Sequence, residues 1–200
     1  ECLVEKNADA YEPALAASYN NAGVFYKKQG QPDKAEKYYL DAIEIRERLV
    51  EKNADAYEPD LAMSYNNAYV FYDDKGDFDK AERYCLAAIE IYERLISKNL
   101  YIYKHKLAKS YNHAGTLYYG LGNPNKAKKY YLAAIEMNKG VAARKKAESN
   151  WITSYNAMSK CYKSQDRADK VEKYYIGKIE HYESLVTAGA DRYEADLSKS

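Results

Sequence analysis

The sequence predicts an all-α, right-handed solenoid of helix hairpins, and three observations carry that prediction. The stretch Ser18-Tyr19-Asn20-Asn21-Ala22 returns as Ser64-Tyr65-Asn66-Asn67-Ala68, as Ser110-Tyr111-Asn112-His113-Ala114 and, eroded, as Ser154-Tyr155-Asn156-Ala157-Met158, at spacings of 46, 46 and 44 residues. Apolar residues within each unit follow helical spacing, and glycine and proline punctuate the units at matching offsets. A repeat of this size is one supersecondary piece that buries its apolar face only against its neighbours.

In repeat 1, Leu15, Tyr19, Ala22 and Tyr26 step by four, three and four, which predicts a first helix over about 14–29. Gly30-Gln31-Pro32-Asp33 stops it, with Gly30 suited to a left-handed cap and Pro32 to the first turn of the next helix. A second helix follows over about 33–52, with Ala35, Tyr39, Ala42, Ile43, Ile45 and Leu49 toward the core. An irregular connector is expected over Asn53 to Glu58, and Pro59 is expected to open the next hairpin. Repeat 2 turns at Gly76 and repeat 3 at Gly122-Asn123-Pro124. Repeat 4 is degenerate: Asp166 stands for the turn glycine and Val171 for the small Ala35. Gly140 costs about 1 kcal/mol relative to alanine in a helix, which makes the junction of repeats 3 and 4 the expected bend.

The whole chain reads as one array: repeat 1 over about 5–50, repeat 2 over 51–96, repeat 3 over 97–142 and repeat 4 over 143–186. Residues 1–4 align with the tail of a repeat and 193–200 with the head of one, so a fragment of a longer array is expected. Repeats 1 and 2 are identical at 33 of 46 positions, the mark of a recent duplication, so their agreement says little about function.

Composition narrows the class. The apolar fraction of 46% and charged fraction of 30% belong to an ordinary globular chain, and no apolar run reaches the ~18 residues that cross a bilayer. The three cysteines form no Cys-x-x-Cys pair, which points to a reducing, cytoplasmic setting without disulfide or zinc framework. Cys85 and Cys161 replace larger residues of sister repeats and read as core fillers. The net charge of +1 hides a split: residues 1–96 carry 12 basic against 20 acidic residues, and 97–200 carry 19 against 10. Such polarity suits a bipolar ligand or self-association.

The recurring residues resemble the tetratricopeptide repeat, in the long form seen in kinesin light chains. The family's small and large pattern falls on Tyr19, Ala22, Gly23, Tyr26, Ala35, Tyr39 and Ala42 in repeat 1, and on Tyr111, Ala114, Gly115, Tyr118, Ala127, Tyr131 and Ala134 in repeat 3. Small residues at Gly23 and Ala35 let the two helices of a hairpin cross closely. Repeat 2 departs with Tyr69 at the glycine position, and repeat 4 with Ser159, Val171 and Lys178.

A second face of the first helices steps by three, four and three. It carries Ala17, Asn20, Val24 and Lys27, then Met63, Asn66, Val70 and Asp73, then Lys109, Asn112, Thr116 and Tyr119, and last Thr153, Asn156, Lys160 and Lys163. The resemblance implies that this stripe lines a concave groove, where four asparagines would offer donors and acceptors to the main chain of an extended peptide. The alternative is that they pair with one another or with neighbouring helices. As exposed groups their replacement by alanine is expected to leave the fold intact. Lys160, Lys163 and Lys109 would meet acidic ligand residues, and Asp73 and Asp74 a basic one.

A protein or peptide partner is therefore expected, with no cofactor, metal or small-molecule substrate. His105, His113 and His181 occupy three different repeat positions without metal or catalytic spacing, which argues against an enzyme. The basic second half and 24 tyrosines raise nucleic acid as a ligand, but most tyrosines fall on core stripes.

Overall fold

The computed structural model describes residues 8–138 and 145–163, with a few further positions at 170–171, 176–177, 179–180, 183 and 187. Seven α-helices and no strand occur among the described residues. They are α1 (Ala8–Lys28), α2 (Pro32–Lys52), α3 (Ala54–Lys75), α4 (Phe78–Lys98), α5 (Leu100–Gly120), α6 (Pro124–Asn138) and α7 (Lys145–Lys163). The chain divides into two compact units, Glu1–Tyr103 and Lys104–Ser200, with the division inside α5. In the first unit α1 packs on α2, α2 on α3 and α3 on α4; in the second α6 packs on α7. Gly140 and the end segments 1–4 and 187–200 fall, but for Thr187, outside the described residues, and so does the expected bend.

The turns inside the hairpins form as their residues dictate. Gly30, Gly76 and Gly122 have φ of 66, 78 and 70°, the left-handed conformation that only a residue without Cβ adopts at no cost. The amide after each glycine donates back across the helix end, Gln31 to Tyr26, Asp77 to Tyr72 and Asn123 to Tyr118, at 3.0, 2.9 and 2.8 Å. This satisfies carbonyls that the helix end leaves open.

Between hairpins the structure corrects the sequence reading. The first helices run through their prolines, α1 being helical already at Ala8 and α3 starting at Ala54, and the connector between α2 and α3 is one residue, Asn53. Asn53 donates its N–H to Leu49 at 2.9 Å, ending α2, while its side chain accepts from Ala56 at 3.2 Å, starting α3. Asn99 does the same between Leu95 and Ile102. An asparagine cap of this kind outweighs the cost of Pro59 in the second turn, because the carbonyl that the missing N–H strands is that of exposed Asp55.

The stripe Leu15, Tyr19, Ala22 and Tyr26 is half-buried, and the adjoining Ala16, Asn20 and Gly23 are the buried set, because α1 meets α3 as well as α2. A Cβ on Gly23 would stand 2.7 Å from the Tyr39 ring, and one on Gly115 would stand 2.5 Å from the Tyr131 ring. Repeat 2 exchanges the sizes at these two positions, with Tyr69 for the glycine and Cys85 for the tyrosine, both buried. The exchange explains two departures with one volume balance. A second tyrosine of each hairpin stacks: Tyr26 on Tyr38, Tyr72 on Tyr84 and Tyr118 on Tyr130, with centroids 5.4 to 5.5 Å apart. A lysine from beyond the turn lies over the first ring of each, Lys34, Lys80 and Lys126, at 5.1, 4.8 and 4.5 Å.

Gly115→Ala should therefore lower stability by about 1 to 3 kcal/mol in a denaturant titration, since the Tyr131 ring must give way. Gly115→Ala combined with Tyr131→Cys should recover part of that loss. An alanine variant as stable as the parent would show that the ring is not held against the glycine.

Candidate functional site

The second face of the first helices is laid out differently from the sequence expectation. In the first unit, Asn20 and Asn66 are each only 6% exposed. The Asn67 Nδ2 donates to Asn20 Oδ1 at 3.0 Å, which ties α1 to α3, and the Asn20 N–H groups have no partner among the described residues. Asn66 hydrogen-bonds the Tyr92 hydroxyl of α4. In the second unit, Asn112 is 5% exposed and its Oδ1 accepts from the Ser154 hydroxyl of α7 at 2.7 Å. Asn156 alone of the four is exposed. Burial and these partners reverse the expectation that alanine at Asn66 and Asn112 leaves stability intact, because a buried group left without its partner costs about 1 to 3 kcal/mol.

The rest of the stripe is more open. Thr116, Tyr119, Lys160 and Lys163 are exposed, as are Met63 and Lys109, while Val24, Lys27, Val70 and Asp73 are half-buried. Lys27 donates to the Val70 carbonyl at 3.2 Å and pairs with Asp74 at 2.6 Å, a second link between α1 and α3. Burial, reinforced by the neighbouring Asp74, pushes the Asp73 carboxyl above its ordinary range. Arg46, which the sequence reading passed over, is buried and donates to the Asp60 carbonyl at 2.8 Å and to the Ser64 hydroxyl. It occupies the repeat position of Tyr92, and its burial lowers the guanidinium pKa.

Ion pairs close the first two hairpins at their outer ends and link one to the other at the turn end. Arg48 meets buried Glu12 at 2.8 Å, and Arg94 meets buried Glu58 at 2.7 Å. At the turn end, Glu36 of α2 receives the ammonium groups of Lys75 and Lys80 and the Tyr72 hydroxyl, the last at 2.9 Å. The Lys75 hydrogen bond, with those of Tyr72 and Lys80, outweighs desolvation and holds the Glu36 carboxyl down at about 2. On the far side of α2 and α4 lies a cleft of about 480 Å³ lined by Leu40, Ile43, Glu44, Glu47, Tyr65, Arg83, Tyr84 and Ala87. Its Tyr65 hydroxyl donates to Glu47 at 2.7 Å and Arg83 lies over Tyr84 at 4.7 Å.

Among the described residues no group of His, Cys, Asp and Glu could hold a metal ion, and no helix is long and apolar enough to cross a membrane. Burial, with Lys109 beside it, pushes the His113 imidazole down to about 3. Cys85 and Cys161 are buried, and burial raises both thiols.

Two tetratricopeptide repeat family models match the chain, at residues 15–53 and 60–140. The chain belongs to the tetratricopeptide repeat family. Its fold is similar to that of BtubC (BKLC) from P. vanneervenii, with a TM-score of 0.69, 19% identity, and coverage of 87% of this chain and 65% of that one. It is also similar to a putative kinesin light chain from Podosopora anserina with nearly identical repeats, with a TM-score of 0.61, 13% identity, and coverage of 93% and 83%. The chain thus spans just under two thirds of the length of the BtubC chain. No curated protein sequence matches it. The tetratricopeptide repeat is a protein-interaction fold, and the solenoid class expected from the period is the one that these structures share.

The Glu36 cluster gives a pH test. A carboxyl whose folded-state pKa lies below its ordinary 4.5 adds stability above that value, and loses it as pH falls toward about 2. Glu36→Gln should therefore melt below the parent at pH 7, and the two melting curves should converge as pH drops from about 4.5 toward about 2. A gap that stays constant over that window would mean that the cluster contributes through packing alone.

Proposed function

We propose that this protein holds a partner protein by an extended segment laid along the stripe of the first helices. In the first unit the contact face is Asn20, Val24, Lys27, Asn66, Val70 and Asp73, and in the second it is Asn112, Thr116, Tyr119, Asn156, Lys160 and Lys163. The observation that carries this reading is Asn20, whose carbonyl is spent on Asn67 while its N–H groups remain available beside the half-buried Val24. A peptide main chain needs such donors for its carbonyls, whatever its sequence. Asn20 then does two jobs, linking α1 to α3 through its carbonyl and meeting ligand through its N–H groups. Lys160 and Lys163 favour an acidic residue in the bound segment. The setting suited to such a receptor is the cytoplasm.

The charge split supports a second reading, association of the acidic half of one molecule with the basic half of another. Sedimentation in low and in high salt separates the two. A mass that falls to the monomer as salt rises is expected of self-association, and a monomer in both is expected of a peptide receptor.

Substitutions at exposed positions test the face without unfolding it. Met63→Glu and Tyr119→Glu should each weaken a peptide selected from an immobilised library at least ten-fold, about 1.4 kcal/mol, with melting temperature unchanged. Leu40→Glu and Leu132→Glu, at exposed positions of the second helices, should leave the affinity as it was. Equal losses from both pairs would place binding elsewhere.

A further inference from the structure

The turn-end cluster of the first two repeats has a counterpart in the last two, with one change of sign. Repeat spacing carries Glu36 to Lys128, Tyr72 to Tyr162 and Lys80 to Lys170, while Lys75 becomes Gln165, so Lys128 brings back the second cation that the cluster loses there. In the first unit a carboxylate sits between the tyrosine hydroxyl and the lysines. In the second unit Tyr162 is 4% exposed, and the ammonium groups of Lys128 and Lys170 lie 5.1 and 5.7 Å from the centroid of its ring. Neither lysine has an acidic partner among the described residues, and both are half-buried beside the buried ring.

We propose that Lys128 and Lys170, over Tyr162, form a binding site for the carboxylate of an aspartate or glutamate side chain from another protein. The ligand supplies from outside the group that Glu36 supplies from within the first unit. The chemistry follows from that internal example, in which two ammonium groups and a phenol hydroxyl converge on one carboxylate. Attraction of each ammonium to the ring offsets part of their mutual repulsion and keeps both beside Tyr162 before a ligand arrives. The site uses the turn end of the helices, not the asparagine stripe, so it stands or falls separately from the reading above.

A fluorophore-labelled hexaglutamate peptide titrated into the full chain, followed by anisotropy, tests the site. Lys128→Glu puts a carboxylate beside Tyr162 and Lys170, as Glu36 stands beside Tyr72 and Lys80, and should both raise the melting temperature and weaken the peptide at least ten-fold. Lys129→Glu makes the same charge change at the adjacent exposed position and should cost less than three-fold. Lys128→Met should weaken the peptide with no gain in melting temperature. Equal losses at positions 128 and 129 would reduce the effect to net charge and overturn the proposal, as would an unchanged affinity in Lys128→Glu. At matched ionic strength acetate should displace the peptide at least as well as inorganic phosphate; a clear preference for phosphate would overturn the carboxylate assignment.

Discussion

The hairpins close because a tyrosine ring lies against the neighbouring helix where no Cβ has room. Gly23 beneath Tyr39 and Gly115 beneath Tyr131 set how near the two backbones come. Much else depends on that distance. Alanines with no exposed surface, such as Ala35, Ala42 and Ala127, fit only between helices held this close. The stacked pairs and their overlying lysines meet across the same gap. Interiors packed this densely tolerate change only when volume is conserved, which is why repeat 2 carries a tyrosine and a cysteine where its neighbours carry a glycine and a tyrosine.

Polar links do the complementary work of joining one hairpin to the next. Asn67 reaches Asn20, Lys27 reaches Asp74 and Glu36 gathers Lys75, Lys80 and Tyr72, all between repeats 1 and 2. Each partly buried pair must offset its own desolvation, so such links choose the register between neighbours more than they add stability. Repeat 3 breaks the pattern at the outer end of its hairpin, where Lys104 and Gly140 stand at the positions of Glu58 and Arg94. Both partners of the pair have changed together.

Features set by a few adjacent residues were legible in the sequence. The left-handed glycine turns are of this kind, because Gly30, Gly76 and Gly122 need only their own missing Cβ and the residues around them. The repeat period and the family followed from identities at fixed offsets. The start of α3 was not legible, because Pro59 suggested a boundary that Asn53, six residues earlier, sets instead. The asparagine stripe was read as an open face since a single helix shows period but not what its neighbour covers; Ser154 on Asn112 and Asn67 on Asn20 come from another repeat. The tyrosine and lysine pairs span a turn, where helical spacing gives no signal. The sign change from Glu36 to Lys128 was in plain view, but it acquires meaning only once Tyr162 and Lys170 are seen around it.

The single asparagine between hairpins carries a consequence for how such a chain grows. Asn53 and Asn99 each finish one helix and begin the next with the same few hydrogen bonds, made to residues on their own flanks. A block of coding sequence cut between two such asparagines can be inserted or lost in frame, and the new seam inherits a working joint without any bespoke linker. Length then becomes a cheap variable for a lineage, and sequence divergence a slower one. The near-identity of the first two repeats is what recent copying across such seams leaves behind.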